Sequence, residues 1–362
     1  MRGDLIIELC FAPAINGFMC PTDNADISRY WKRRPMRDAV EMIKYKLMRV
    51  RQLATVRYAR WLLVRFLCPD ALLTTQICEG VRIQYTPQGN ISRDLYLGQF
   101  EHDVIDFLSH YLKPGMIVFD VGANIGVYSL LSAKYVGEHG AVHAFEPTPE
   151  TFARLRTNVK LNKFTWVHLN QLAVAEKTGT STLNLYEQNA MNSLARQDWV
   201  GKSLGQTVVE TISLNEYVKA KGLTRIDLLK VDVEGAELAV LKGARHLLDG
   251  SNSPVVLCEF ADKTTHGFGY QAASIRDFLG TFGYGFFRWC PELRRLVSEP
   301  SRPHYKLYAN LVCVKQAGPG GLVLGLSPAV CRFHPPLLKP SVRGIGFRKL
   351  SWFFHMGNSY GN

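Results

Sequence analysis

Three short segments concentrate the residues of this chain that suit chemistry, and each follows an apolar run. Asp120-Val121-Gly122-Ala123-Asn124-Ile125-Gly126 closes the first run, Phe145-Glu146-Pro147 the second, and Asp232-Val233-Glu234-Gly235-Ala236-Glu237 a later one. In the first segment, two glycines let the backbone turn tightly and let a ligand approach the start of the helix that follows. A dinucleotide loop uses glycines in a related way, but the Gly-x-Gly-x-x-Gly spacing is missing, and Asp120 sits at the mouth. A carboxylate there repels a pyrophosphate. It suits a ligand carrying an ammonium and a sulfonium, as S-adenosylmethionine does.

Glu146 can accept both hydroxyls of a ribose, although an acid there equally suits the start of the helix from Pro149. Asp232, Glu234 and Glu237 put three acids within six residues, a costly arrangement unless a cation or a hydroxyl-bearing acceptor is served there. Glu237 has its own plain explanation as a first-turn acid. Methyl transfer to a hydroxyl needs alignment and the removal of a proton. The candidates for the proton are Asp232, Glu259 and His266, the last because imidazole ordinarily titrates near neutral pH. His266 is also explained as an exposed loop residue. Asn189–Arg196, with Asn192-Ser193-Leu194, is a candidate cover for the acceptor and equally a plain surface loop. Tyr96, His102 and Tyr128 are further candidates to line the pocket.

These segments need a scaffold that brings strand ends to one edge. Apolar runs at Ile117–Val121, Ala141–Glu146, Trp166–Leu169, Ile226–Val231, Val255–Glu259, Gly285–Trp289 and Leu311–Val314 alternate with helical stretches at Val127–Val136, Pro149–Leu161, Glu237–Leu248 and Ser274–Phe282. Such alternation predicts an α/β, Rossmann-like fold, a mostly parallel sheet with helices on both faces. Right-handed crossovers then gather the strands' C-terminal ends at one edge, where ligands bind. Thr180–Leu185 and Val208–Ile212 are expected as an extra strand pair beside the third unit.

Asp120 to Gly126, Phe145-Glu146-Pro147, Leu172-Ala173-Val174 and Lys230-Val231-Asp232-Val233-Glu234-Gly235 together resemble the FkbM family of S-adenosylmethionine-dependent methyltransferases. The resemblance covers about residues 90 to 315. It implies the class I methyltransferase fold, seven-stranded with a reversed last strand, for which Leu311–Val314 is the candidate. It also implies O-methylation of a sugar, glycan or secondary-metabolite hydroxyl. On the cofactor side it carries over Asp120, Gly122, Asn124 and Gly126 to the methionine end of the donor and Glu146 to its ribose, with Ala173 and Asp232 completing the set. No metal is expected.

The formal net charge is +12 over 362 residues, but it is unevenly spread. Residues 1–28 carry −3, residues 29–65 carry +10, residues 66–315 are neutral and residues 316–362 carry +5. A balanced central domain does not call for a nucleic acid in the active site. The expected division is a poorly ordered segment over 1–37, a basic amphipathic helical arm over 38–79, the methyltransferase domain over 80–315 and a basic Pro/Gly-rich tail over 316–362. Within the arm, Asp38–Leu67 has helical spacing. Its plain reading is a helix packed through its apolar face with the charged face in water; docking on an anionic membrane surface is the alternative.

The eight cysteines show no zinc-knuckle or redox spacing. Cys258 and Cys313 lie in apolar runs and are expected as buried free thiols, in keeping with a cytoplasmic protein. Acids among the first residues argue against a signal peptide, and no window has the roughly 18 apolar residues of a membrane span. Three rival readings remain: an NAD(P)-linked oxidoreductase on the same sheet, a nucleic-acid methyltransferase, and a non-catalytic nucleotide-binding module. The first lacks its third glycine. The second lacks the Asn/Asp-Pro-Pro-aromatic run after the fourth strand, and the acids there oppose phosphates.

Overall fold

A computed structural model describes residues 54–187, 191–197, 199–250 and 252–316. They fall into two units. The smaller contributes residues 54–73 and 86–88, and contains a helix, α1, over 54–67. That helix ends at Leu67 as its spacing predicts; residues 38–53 of the same pattern lie outside the described residues, as do 1–37 and 317–362. Trp61 is buried, but most of the apolar side chains of α1 are exposed. No helix among the described residues is long and apolar enough to cross a membrane.

A two-stranded hairpin pairs β1 (Leu73–Cys78) with β2 (Val81–Tyr85). The larger unit begins within β1, a few residues before the expected boundary at 80. Two helices follow, α2 (Gly89–Leu97) and α3 (His102–Tyr111).

The sheet itself is built from β3 (Ile117–Val121), β4 (Ala141–Phe145), β5 (Val167–Asn170), β9 (Leu228–Val231), β10 (Val255–Phe260), β11 (Tyr284–Cys290), β12 (Arg295–Ser298) and β13 (Ala309–Lys315). Their spatial order is β12-β11-β13-β10-β9-β3-β4-β5. β3, β4, β5, β9 and β10 pair in parallel, while β13 runs antiparallel to both β10 and β11. This is the expected parallel sheet with its last strand reversed. The count differs by one strand because β12 folds back on β11 as an antiparallel edge hairpin. Its residues are mostly exposed, so they carry no apolar period to read.

β3 and β9 are buried along nearly their whole length, as strands covered on both faces must be. The helix after β3, α4 (Val127–Val136), is apolar all round and buried on almost every side. α5 (Pro149–Asn162) follows β4. After β5 the chain leaves the main sheet. β6 (Ala173–Val174), β7 (Gly179–Tyr186) and β8 (Ser203–Ile212) form a separate sheet in the order β6-β8-β7, which contains the expected extra strand pair.

α6 (Leu214–Lys221) leads back to β9. The helical stretch after β9 is divided at Ala244 into α7 (Glu237–Gly243) and α8 (Arg245–Asp249), where Ala244 has φ −104° and ψ 8°. The short α9 (Asp262–Thr265) follows β10, and α10 (Ala273–Gly280) precedes β11. A core of Phe119, Phe145, Tyr217, Leu229, Val256 and Phe260, with the buried thiols Cys258 and Cys313, locks the helices to the sheet. The chain runs outward from β3 to β4 and β5, then returns to lay β9 and β10 on β3's other side. The β3/β9 junction is therefore the switch point where a crevice opens.

Candidate functional site

The cleft lies at the C-terminal ends of β3, β4 and β9. Its free space, open mouth included, comes to about 560 Å³. Gly122, Asn124, Glu146, Ala173 and Asp232 line it, as do Asn192, Ser193, Leu194 and Glu234. Five of the seven sequence-expected cofactor residues are thus brought together. The 192–194 segment closes over them: Ser193 Oγ donates to the Glu234 carbonyl at 2.8 Å, and Asn192 Nδ2 donates to Thr148 Oγ1 at 3.3 Å. Asn189 and Ala190 of the same loop lie outside the described residues.

The turn after β3 is shaped by close approach. Gly122 has φ +79°, and a Cβ there would sit 1.8 Å from the Asp232 carbonyl oxygen. No side chain fits between the two strand ends. Asn124 also adopts a left-handed conformation, φ 50°, and its N–H donates to Glu146 Oε2 at 3.1 Å. Thr148 N–H donates to Glu146 Oε1 at 2.9 Å. Burial pushes the Glu146 carboxyl above its usual range, and these amides pull the other way. Each oxygen keeps a lone pair toward the cleft, which suits a pair of ribose hydroxyls.

Asp120 and Gly126 do not line the cleft. Asp120 is buried behind it, taking a hydrogen bond from Ser129 Oγ at 2.6 Å, with Lys230 Nζ 3.6 Å from its Oδ1. Asp120 precedes Val121 on a fully covered strand, so its side chain points into α4 rather than toward the loop. Gly126 caps α4, and a Cβ there would meet Leu155 Cδ1 at 2.7 Å. Its place is in helix packing.

Beside the donor cleft lies a chamber of carboxyls around one lysine. Lys230 Nζ is 3.2 Å from Asp232 Oδ2, 3.3 Å from the Gly122 carbonyl and 4.7 Å from the Tyr128 ring centroid. Burial works against the lysine's charge, but Asp232 and Asp120 outweigh it and hold the ammonium above its usual range. Burial together with Asp232 raises the Glu234 and Glu259 carboxyls well above the usual range, and the buried Oε2 atom of each has no hydrogen-bond partner. Glu237 accepts the Val233 and Gly235 amides at 3.2 and 3.0 Å. It thus braces its own loop, the first-turn role that its position suggests.

Sequence reasoning missed Glu101. It caps α3 with φ 29°. Tyr128 Oη donates to its carboxylate, and Asn310 Nδ2 donates to Oε2 at 3.2 Å. Asn310 faces Glu259 directly across β10 and β13, which joins Glu101 to the chamber. Burial and Asp232 raise its carboxyl to about 7. The Glu101 side chain reaches the chamber from an element with no motif, so only the isolated acid before an amphipathic helix hinted at it.

Of the proton-acceptor candidates, Asp232 lines the cleft and Glu259 lies in the chamber. His266 joins neither. It is exposed on a 3-10 turn, His266–Phe268, that follows α9. The buried Thr264 and Thr265 hydroxyls donate to the Ala261 carbonyl at 3.0 and 3.2 Å, and this turns the chain away before His266. His102 is exposed and pairs with the Gly98 carbonyl at 2.8 Å. Tyr128 is buried in the chamber wall rather than in the donor cleft.

Comparison with known proteins follows the same outline. The family model of the methyltransferase FkbM domain matches residues 120–286. The chain is 31% identical over 213 residues to 31-O-demethyl-FK506 methyltransferase FkbM of Streptomyces tacrolimicus, covering 47% of this chain and 79% of that protein. It is 30% identical over 158 residues to hexuronic acid methyltransferase AglP of Haloferax volcanii, covering 43% and 61% respectively. The 2-O-methyltransferase NoeI of Sinorhizobium fredii is 25% identical over 186 residues, with 47% and 73% covered.

Proposed function

We propose, since this chain belongs to the FkbM family of methyltransferases, that it transfers a methyl group from S-adenosylmethionine to a hydroxyl of a sugar, glycan or secondary metabolite. One observation carries the donor assignment. Three acids, Glu146, Asp232 and Glu234, line the cleft, and among the described residues no Lys or Arg does. Such a lining favours a cationic nucleoside and opposes a pyrophosphate, which counts against the oxidoreductase reading. A sugar-type acceptor is supported by relatives named for hexuronic acid and 2-O methylation. The buried free thiols Cys258 and Cys313 are in keeping with work in the cytoplasm.

Bound S-adenosylmethionine supplies an electrophilic methyl on a sulfonium. Glu146 would hold the ribose hydroxyls, Asn124 and the Gly122 turn would border the methionine end, and Ala173 would offer the base an apolar wall. Asp232, fixed by Lys230, accepts the proton that the acceptor hydroxyl loses as its oxygen attacks in line. Glu259, whose carboxyl is raised well above its usual range by burial and by Asp232, orients the acceptor by hydrogen bonding. Isothermal titration tests the donor assignment: S-adenosylhomocysteine binds and NADH gives no heat. The reverse pattern on folded protein overturns it. Labelled donor and a panel of hydroxylated sugars, read by mass spectrometry, then identify the acceptor, and Asp232→Asn abolishes labelling even at donor concentrations that saturate the variant.

A further inference from the structure

Helix α1 turns its apolar side to water. Trp61 is buried and Val64 half-buried, while Val56, Tyr58, Leu62, Leu63, Phe66 and Leu67 are exposed, Phe66 at 83%. These six make up half of the exposed large apolar side chains among the described residues. With 3.6 residues per turn, Leu62, Phe66, Leu63 and Val56 fall in one arc opposite Trp61, so the stripe is continuous. Arg60 borders that stripe on one side and Arg65 on the other, and the helix holds no acid.

Scattered exposed apolar residues are ordinary, whereas a contiguous stripe marks a contact surface. Charge selects the partner. An apolar stripe flanked by arginines matches an anionic bilayer interface, where the side chains enter the acyl boundary and the guanidinium groups stay at headgroup level. A second copy of α1 would bring the same arginines against themselves. The preceding sequence carries the same sign, since residues 29–65 hold a net +10. No helix among the described residues is long and apolar enough to cross a membrane, and an amphipathic helix with arginines beside its apolar stripe suits the interface plane. We propose that α1 is an interfacial anchor that docks this protein on an anionic membrane surface through the Leu62–Phe66 stripe.

The test is co-sedimentation of the full chain with phosphatidylcholine vesicles, with and without phosphatidylserine, over a salt series. The anchor predicts binding to the phosphatidylserine vesicles that weakens as salt rises. Leu63→Ser combined with Phe66→Ser lowers the partition coefficient at least about tenfold. Arg57→Gln and Arg65→Gln lower it about fivefold each. All these positions are exposed, so circular dichroism and thermal unfolding stay as in the wild type. Binding that ignores phosphatidylserine, or that survives the double serine substitution, overturns the proposal. So does a concentration-dependent dimer in sedimentation velocity that the double substitution abolishes. Donor titration is independent of all these readouts, and its failure leaves the vesicle result standing.

Discussion

Replacing Glu101 by glutamine tests whether the carboxyl chamber is held against the stability of the fold. Burial and the Asp232 charge raise the Glu101 carboxyl from 4.5 to about 7, against the opposing pull of Tyr128 and Lys230. Below pH 4.5 the folded and unfolded chains both keep this proton. As pH rises from there the unfolded chain releases it first, so stability falls, and the loss is complete once pH has passed through about 7. A displacement from 4.5 to about 7 corresponds to about 3 kcal/mol at pH 8 and about 1 kcal/mol at pH 5. The substituted amide keeps an oxygen for the Tyr128 and Asn310 donors and has no proton to release. Urea unfolding therefore finds Glu101→Gln stabilised by about 2 kcal/mol more at pH 8 than at pH 5. Methyl transfer by the variant falls, and its pH–rate profile lacks the inflection near 7. An equal stability difference at both pH values refutes the reasoning, because it means that the Glu101 carboxyl titrates alike in the folded and unfolded chains.

Three further outcomes follow from the same geometry. Glu146→Gln loses one of two anionic acceptors for the ribose and lowers donor affinity about tenfold or more by calorimetry, with the fold intact. Lys230→Met leaves Asp120 and Asp232 facing each other without their cation; a loss of about 3–5 kcal/mol in denaturant unfolding is expected, and a change under about 1 kcal/mol would contradict the ion-pair geometry. His143 is buried against His168 and Tyr217, and burial lowers it from 6.5 to about 4. Its contribution is whole above pH 6.5 and is lost as pH falls toward 4, so His143→Phe flattens the acid limb of the stability curve, as differential scanning calorimetry at stepped pH will show.

The parallel sheet was legible because its strands are buried on both faces: Ile117–Val121 and Ala141–Phe145 read as mostly apolar runs, broken only by Asp120 and His143, with Gly or Pro near their borders. β12 was not legible, since its residues are mostly exposed, nor were α2 and α3, whose apolar spacing is short. At the site, the residues read correctly into the cleft belong to chain immediately after a strand, where backbone geometry alone decides position. Gly122, Asn124, Glu146 and Asp232 all qualify. Asp120 failed because it is one residue too early: strand alternation sends it behind the wall, where it serves Lys230. Gly126 failed because packing on Leu155 explains it as well as a ligand does.

The harder failures share another cause. Glu101 and Asn310 come from helix and strand ends almost 210 residues apart in sequence, and their meeting with Tyr128 and Glu259 depends on three-dimensional closure. A local pattern cannot register a pair of that separation. The same limit applies to α1: its helical spacing marks an apolar face but not which of its side chains are covered. Burial of Trp61 alone among its large side chains decides it. What the linear order hides in both cases is the partner across space. In the chamber that partner is a second carboxyl, which adds to burial in raising the Glu101 carboxyl to about 7. Along α1 the spacing cannot register that Leu62, Leu63 and Phe66 stay exposed.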